Sequence, residues 1–125
     1  MIVEDEIITA MSMESKLSRI GYDICKLVTS GEDAIKNVEQ DKPDLVLMDI
    51  ILDGIINGIE AAGKIRASYG IPIIFVTGCE DEGTKELAEE VGHAGFFVKP
   101  AKIEDLKSAI EMAIIEHDKE KKGVK

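Results

Sequence analysis

The strongest constraint on the fold is a regular alternation between short apolar runs and residues spaced as on a helix. The predicted strands cover residues 2–3, 22–28, 44–49, 71–77 and 94–98, and a helical pattern follows each of them. Five such alternations joined by short loops are typical of a doubly wound α/β sheet with right-handed crossovers. A chain of 125 residues is long enough for one such domain with a real core.

The five predicted helices have apolar residues three or four positions apart, which gives each of them one face for the core. The residues that mark them are Ile7, Ala10, Met13, Leu17 and Ile20; Ala34, Ile35 and Val38; Ile59, Ala62, Ile65 and Tyr69; Leu87, Ala88 and Val91; and Ile103, Leu106, Ile110, Ala113 and Ile114. Ser30 is the predicted N-cap of the second helix, and Gly21 is predicted to end the first.

The domain is predicted to cover residues 1–118, and residues 119–125 form a charged C-terminal tail or the stump of a linker. The first strand is short for a central strand, so the natural chain is expected to begin a few residues earlier. No internal repeat or low-complexity run interrupts the domain.

The charge balance and the cysteine count narrow the classes of partner. The net charge is -10 and the pI is about 4.6, which argues against direct nucleic-acid binding and suits divalent cations or basic partner surfaces. No apolar run reaches the roughly 20 residues that a membrane span needs. Residues 1–4 show no basic segment followed by an apolar one, so we expect no signal peptide. Cys25 and Cys79 form no CxxC pair, so we expect two reduced thiols in a cytoplasmic protein.

Chemically useful side chains follow four of the predicted strands. Glu4 and Asp5 come after the first strand, Asp49 ends the third, Thr77 ends the fourth and Lys99 follows the fifth. Ligands of open parallel sheets bind at the carboxyl ends of the strands, which lie along one edge. If the first and third strands are neighbours, their carboxylates come together as oxygen ligands suitable for Mg²⁺.

A metal-bound carboxylate beside a hydroxyl and an ammonium group indicates phosphoryl chemistry. A carboxylate can attack a phosphoryl group to give an acyl phosphate. The transferred group is strongly anionic, so Mg²⁺, Lys99 and Thr77 would each offset charge on its oxygens.

The sequence resembles the receiver domains of two-component response regulators over nearly its whole length. The motifs that carry the resemblance are Val3-Glu4-Asp5-Glu6, Asp44-Leu45-Val46-Leu47-Met48-Asp49-Ile50, Gly58-Ile59-Glu60-Ala61-Ala62, Val76-Thr77-Gly78 and Phe97-Val98-Lys99-Pro100. The resemblance implies a flavodoxin-like (βα)5 fold with a five-stranded parallel sheet in the order 2-1-3-4-5. It also implies a phosphorylation-dependent switch in a phosphorelay, and not a turnover enzyme.

The resemblance assigns a role to each residue at the strand ends. Asp49 would accept the phosphoryl group. Mg²⁺ or Mn²⁺ would be bound by Asp5, Asp49 and the backbone carbonyl of Ile51, with Glu4 acting mostly through water. Thr77 and Lys99 would hold phosphoryl oxygens, and the peptide bond between Lys99 and Pro100 would be cis.

The family also implies how the signal is passed on. Thr77 would move toward the phosphoryl group and leave space for Phe96 to turn inward, changing the surface formed by helix 4, strand 5 and helix 5. On helix 5, Met112 and Ile115 project away from the core stripe. The phosphoryl donor would be a sensor histidine kinase or a phosphotransfer protein, and the changed surface would meet an output domain or a second copy of the chain.

Four loop positions depart from the usual family pattern. Asp53 stands where proline is common, and Gly78 stands where alanine is commoner. Ile51 and Cys79 occupy positions that tune dephosphorylation in the family, and neither can act as a base or orient water well. We therefore expect a long-lived acyl phosphate.

Three alternatives are weighed against this interpretation. A haloacid-dehalogenase-like phosphotransferase would need a second Asp two residues after the nucleophile, whereas Asp53 lies four residues after Asp49. A flavodoxin-like cofactor binder would need a hydroxyl-rich phosphate loop, where this chain has acids at residues 4–6. A degenerate receiver that only binds partners would have lost part of the set Asp5, Asp49, Thr77 and Lys99.

Overall fold

A computed structural model describes the backbone of residues 1–123 and the side chains of residues 1–119. The strands are β1 (Ile2–Val3), β2 (Leu27–Val28), β3 (Val46–Met48), β4 (Ile73–Thr77) and β5 (Gly95–Val98). The helices are α1 (Ile7–Arg19), α2 (Gly31–Asp41), α3 (Gly58–Tyr69), α4 (Glu82–Val91) and α5 (Ile103–Gly123). This order confirms the predicted alternation.

The five strands form one parallel sheet in the order β2-β1-β3-β4-β5. The predicted order is therefore confirmed. Because β1 lies between β2 and β3, the loops after β1 and β3 are neighbours at the carboxyl edge. This placement brings the loop that holds Glu4 and Asp5 next to Asp49.

The sheet separates two layers of core, because successive strand residues point to opposite faces. One layer contains Met48 and Phe75 with the buried faces of α2, α3 and α4. The other contains Leu47 and Ile74 with Leu17 of α1 and the inner face of α5. The three central strands, β1, β3 and β4, are thus buried on both faces, which explains why their sequences read as continuous apolar runs.

Side-chain caps set the start of three helices. The Ser30 hydroxyl accepts a hydrogen bond from the Asp33 amide at 3.1 Å, which confirms the predicted N-cap of α2. At the start of α3, Asn57 and Glu60 form a reciprocal capping box that our sequence analysis missed. The Asp81 carboxylate caps α4 in the same manner as Ser30 caps α2.

The second strand is much shorter than predicted. Residues 22–26 lie outside β2, which pairs with β1 only through Ile2 with Leu27 and Val3 with Val28. A strand can extend only as far as its neighbour offers backbone groups, and β1 has two residues. The weak alternation after Tyr22 was therefore not enough to predict the strand's length.

Four predicted core residues are instead exposed. The exposed fractions of Ile7, Ile20, Tyr69 and Leu87 are 54%, 39%, 39% and 53%, whereas Ala10, Leu17 and Ala88 are buried. Ile7 is the first residue of α1 and Ile20 is its C-cap, so both lie at the ends of the helix. On α5 the predicted stripe is confirmed: Leu106, Ile110 and Ala113 are buried, and Met112 and Ile115 project to solvent.

Helix α5 continues without a break across residues 118 and 119. The division into a domain of residues 1–118 and a tail of residues 119–125 stays a prediction, and residues 124 and 125 lie outside the described part of the chain. Cys25 and Cys79 are both free thiols, as expected. Within residues 1–123, none of the helices combines the length and the apolar character that crossing a membrane requires.

Candidate functional site

Backbone hydrogen bonds align the strand ends that carry the predicted site. The Asp49 amide donates to the carbonyl of Val3 at 3.0 Å, so the residue after β3 lies beside the end of β1. The Lys99 amide donates to the carbonyl of Thr77 at 2.8 Å, which fixes the end of β5 against β4. The parallel register therefore brings residues from four segments of the chain to one edge.

Asp49 lies at the bottom of this edge with only 6% of its surface exposed. One carboxylate oxygen, Oδ1, accepts a hydrogen bond from the Ile51 amide at 3.3 Å. The other, Oδ2, accepts one from the Lys99 ammonium at 2.9 Å. Asp49 is thus held in place by the loop that follows it and by a side chain from the far strand.

Gly58 presses directly against the backbone of Asp49. Its amide donates to the Ile50 carbonyl at 2.7 Å, which closes the loop between β3 and α3. A Cβ on Gly58 would overlap the carbonyl oxygen of Asp49 and would lie 2.8 Å from the Cα of Ile50. Only glycine fits this contact. Both the start of α3 and the backbone position of Asp49 therefore depend on Gly58.

Lys99 connects the two buried carboxylates. Its Nζ lies 2.6 Å from Oε1 of Glu4 and 2.9 Å from Oδ2 of Asp49. Burial on its own would lower the pKa of Lys99, but the hydrogen bonds and charges of Glu4 and Asp49 outweigh it, and the pKa is raised. Lys99 is therefore a permanent positive charge at Asp49.

Glu4 is more deeply involved than the sequence analysis predicted. It is 3% exposed, and its second oxygen accepts a hydrogen bond from the Glu6 amide at 3.0 Å. Burial raises its pKa, and the nearby charge of Asp49 adds to that, while the bonds from Lys99 and Glu6 oppose the shift. The Glu4–Lys99 contact spans 95 residues of sequence, and no local pattern could have revealed it.

The carboxylates of Glu4, Asp5 and Asp49 form a group that fits a divalent cation. Each offers an oxygen, and these three oxygens lie within 4.8 Å of one another. Lys99 pairs with Glu4 and Asp49, and the group has three carboxylates for this one ammonium, so at neutral pH it has more acidic than basic groups. Hard oxygen donors with uncompensated charge are what Mg²⁺ and Mn²⁺ prefer.

Thr77 and Ile51 are placed near this cluster in different ways. Thr77 is fully buried at the end of β4, and its hydroxyl accepts a hydrogen bond from the Cys79 amide at 3.3 Å. Among the described side chains, the Thr77 hydroxyl forms no hydrogen bond with the carboxylate of Asp49 or the ammonium group of Lys99. Ile51 touches the site through its amide, while its side chain is 63% exposed.

Phe96 lies in a cluster of three rings on β4, β5 and the loop after α4. It is partly buried, with its ring centroid 6.2 Å from that of Phe75 and 5.9 Å from that of His93. The Lys85 ammonium lies 6.0 Å from the centre of the Phe96 ring. Sequence reasoning missed His93, which was not marked by any motif. The Lys99–Pro100 peptide bond is cis, as expected.

Comparison with known proteins identifies a family. The family model described as the response regulator receiver domain matches residues 1–111. The transcriptional regulatory protein PdtaR of Mycobacterium tuberculosis is 35% identical over 114 residues, covering 91% of this chain and 55% of that protein. The chain therefore spans about half the length of this curated relative.

Solved structures show the same similarity. The signal receiver domain of a modulated diguanylate cyclase from Desulfovibrio desulfuricans G20 matches with a TM-score of 0.91 and 35% identity, covering 95% of this chain and 94% of that one. A DNA-binding response regulator of the LuxR family from Staphylococcus aureus matches with a TM-score of 0.84 and 28% identity, covering 90% of this chain and 95% of that one.

Proposed function

The chain belongs to the response regulator receiver domain family, and from that membership we propose that Asp49 is the phosphoacceptor of a two-component signalling switch. Receiver domains are regulatory phosphoacceptors. The observation that carries the assignment is the hydrogen bond from Lys99 to a buried carboxylate that lies at the carboxyl edge of the sheet. The cluster of Glu4 and Asp5 beside it supplies the metal ligands.

The proposed transfer needs one bond to form and one to break. A carboxylate oxygen of Asp49 attacks the phosphorus of the donor, and the donor's leaving group departs with the electrons of its bond to phosphorus. The Lys99 ammonium would move from the Asp49 carboxylate to one phosphoryl oxygen, and the Thr77 hydroxyl would donate a hydrogen bond to a second phosphoryl oxygen. Asp5, Asp49 and the Ile51 carbonyl would bind Mg²⁺ directly, and Glu4 would bind it through water. The cation would neutralise charge on the phosphoryl oxygens.

We propose that Thr77 and Phe96 transmit the signal. The Thr77 hydroxyl now accepts a hydrogen bond from the Cys79 amide. Once phosphorylated, Asp49 would offer a charged acceptor to which this hydroxyl can donate. Movement of Thr77 would open space on β4 for Phe96 of the neighbouring strand to turn inward. The surface of α4, β5 and α5 would then change, where Leu87, Met112 and Ile115 are exposed.

The proposed partners follow from this scheme. A sensor histidine kinase or a phosphotransfer protein would donate the phosphoryl group, and the domain would catalyse only its own phosphorylation and dephosphorylation. The changed surface would contact an output domain or a second copy of the chain. We place the protein in the cytoplasm, where such a phosphorelay operates.

The proposed function is tested with a small-molecule donor. Incubation with acetyl phosphate and Mg²⁺ is expected to add one phosphoryl group, seen by intact mass, with peptide mapping locating it at Asp49. Replacing Mg²⁺ by EDTA should abolish the adduct, because nothing then offsets the repulsion between the carboxylates and the donor. No adduct in the presence of Mg²⁺ would reject the function.

Mg²⁺ alone is expected to stabilise the folded protein through the carboxylate cluster. At about a hundredfold excess over the dissociation constant, binding adds ~3 kcal/mol to the free energy of unfolding, which thermal unfolding would detect. The Asp5→Asn variant should lose most of this gain, and Asp5 has no other ion pair among the described side chains that the change would disturb. An equal gain in both proteins, or with KCl of matched ionic strength, would contradict the predicted site.

The acyl phosphate is expected to persist for minutes or longer. Ile51 and Cys79 flank the site and neither side chain can activate a water molecule, so hydrolysis lacks a general base. Decay of the adduct after removal of acetyl phosphate, followed by intact mass, measures this lifetime. An Ile51→Glu variant introduces a carboxylate at the exposed position and should shorten it. A wild-type half-life of seconds would contradict the prediction.

A further inference from the structure

The loop between β3 and α3, residues 50–57, is attached to the start of α2 as well as to its own ends. The Ile55 amide donates a hydrogen bond to Oε2 of Glu32 at 2.7 Å. Ser30 and Asp53 form an isolated parallel β-bridge next to it. Glu32 is separated from Ile55 by 23 residues of sequence, so the contact is a tertiary one that joins this loop to the start of α2.

The Glu32 carboxylate fits closely under the loop. Its other oxygen, Oε1, is buried without a hydrogen-bond partner. Gly54 has a φ of +102°, and a Cβ there would lie 2.6 Å from Oε1 of Glu32. The backbone of the loop therefore approaches this carboxylate as closely as it can, and Gly54 permits both the approach and the turn. Hydrogen bonding by the Ile55 amide lowers the pKa of Glu32.

The same loop begins at the phosphoacceptor. Ile51 donates its amide to Oδ1 of Asp49, and it lies only two residues before the bridge at Asp53. Leu52 and Ile56 pack against the core and hold the loop from inside. Ile55, in contrast, is 93% exposed, so its side chain adds little packing, and its amide contact with Glu32 anchors the backbone at this residue.

We propose that Glu32 is a positioning residue for Asp49: by accepting the Ile55 amide it fixes the loop whose Ile51 amide orients the phosphoacceptor. Glu32 touches neither Asp49 nor Lys99, and it acts through the backbone of residues 51–55. The inference rests on the proposed role of Asp49. It also implies that Glu32 strengthens Mg²⁺ binding, because the Ile51 carbonyl, a proposed metal ligand, belongs to the same backbone segment.

Three substitutions separate the effect of the length of the Glu32 side chain from the effect of its charge. Glu32→Gln keeps an oxygen at the same distance, Glu32→Asp keeps the charge but is one methylene too short, and Glu32→Ala removes both. Glu39→Ala is the matched control, since Glu39 is an exposed acid on the same helix. If the released loop is competent about a tenth of the time, the Mg²⁺ concentration for half-maximal phosphorylation by acetyl phosphate rises about tenfold in the Asp and Ala variants.

Two measurements do not depend on phosphorylation. Calorimetry of Mg²⁺ binding should show the same weakening, and hydrogen exchange of the Ile51 and Ile55 amides in metal-free protein should accelerate about tenfold when the loop opens more often. Glu32→Gln should stay within about threefold of wild type in each, since it preserves the hydrogen bond. At saturating Mg²⁺, the phosphorylation rate should recover in every variant.

Several outcomes would overturn the proposal. One is wild-type Mg²⁺ affinity and amide exchange in Glu32→Ala or Glu32→Asp. A second is a loss of Mg²⁺ affinity in Glu32→Gln equal to that in Glu32→Ala. A third is a phosphorylation rate reduced by the same factor at every Mg²⁺ concentration. The last would indicate fewer folded molecules and not a displaced loop. Absence of phosphorylation in the wild type would reject the function of Asp49 instead, and calorimetry with amide exchange would still decide whether Glu32 positions the loop.

Discussion

An Asp49→Ala variant is expected to take up no phosphoryl group from acetyl phosphate under conditions that modify the wild type completely. In the proposed mechanism the side chain supplies the attacking oxygen. Among the described carboxylates, only Asp49 contacts both Lys99 and the Ile51 amide, whereas Glu4 contacts Lys99 without the Ile51 amide. Asp49→Asn should behave in the same way, because an amide of the same shape is a far weaker nucleophile. Intact mass measures the result, and thermal unfolding confirms that both variants fold.

Two comparisons make this result specific to Asp49. Asp53→Ala removes an exposed carboxylate from the same loop and should leave the adduct unchanged. Lys99→Met should slow phosphorylation by about a hundredfold or more, as expected for loss of one positioned group that stabilises the transition state. With enough time it should still reach the adduct at Asp49. An adduct of wild-type yield on Asp49→Ala would show that another residue is the acceptor.

A Gly58→Ala variant is expected to lose about 3 kcal/mol or more of folding free energy. The added methyl group overlaps the backbone carbonyl of Asp49, and relief of the overlap needs movement of backbone that the Gly58–Ile50 hydrogen bond holds at 2.7 Å. Thermal unfolding should show a fall of roughly 10 °C or more for a domain of this size. Because relief of the overlap displaces Asp49, the fraction that remains folded should also be phosphorylated more slowly.

Gly63→Ala is the matched control on the same helix. A Cβ at Gly63 would meet only a methyl group of Val91 at 3.9 Å, an ordinary contact. The greater helix propensity of alanine should then stabilise the protein by about 0.5–1 kcal/mol. Since both changes add one methyl group to α3, the difference between them isolates the contact with Asp49. Similar unfolding temperatures for the two variants would contradict the assigned role of Gly58.

The secondary structure was predictable wherever a local pattern determined it. The apolar runs before Asp49 and Thr77 and the stripe on α5 all correspond to elements of the structure, because burial on both faces and helical spacing leave a direct trace in sequence. Prediction failed where the length of a strand or the exposure of a side chain depends on neighbouring elements. The length of β2 depends on how many residues β1 offers. Ile7 follows the helical spacing but lies at the first position of α1, where it is exposed.

The sequence by itself determined the alternation of strands and helices and placed the candidate residues at strand ends. The motifs around Asp49 and Lys99 then connected the chain to its family. Only the tertiary structure decided which residues contact one another. Lys99 forms ion pairs with both Glu4 and Asp49. Gly58 lies against the Asp49 carbonyl, and Glu32 accepts a hydrogen bond from the Ile55 amide. The physical reason is that hydrophobic periodicity records which face of an element is buried, whereas contacts between distant segments depend on strand order, register and loop path.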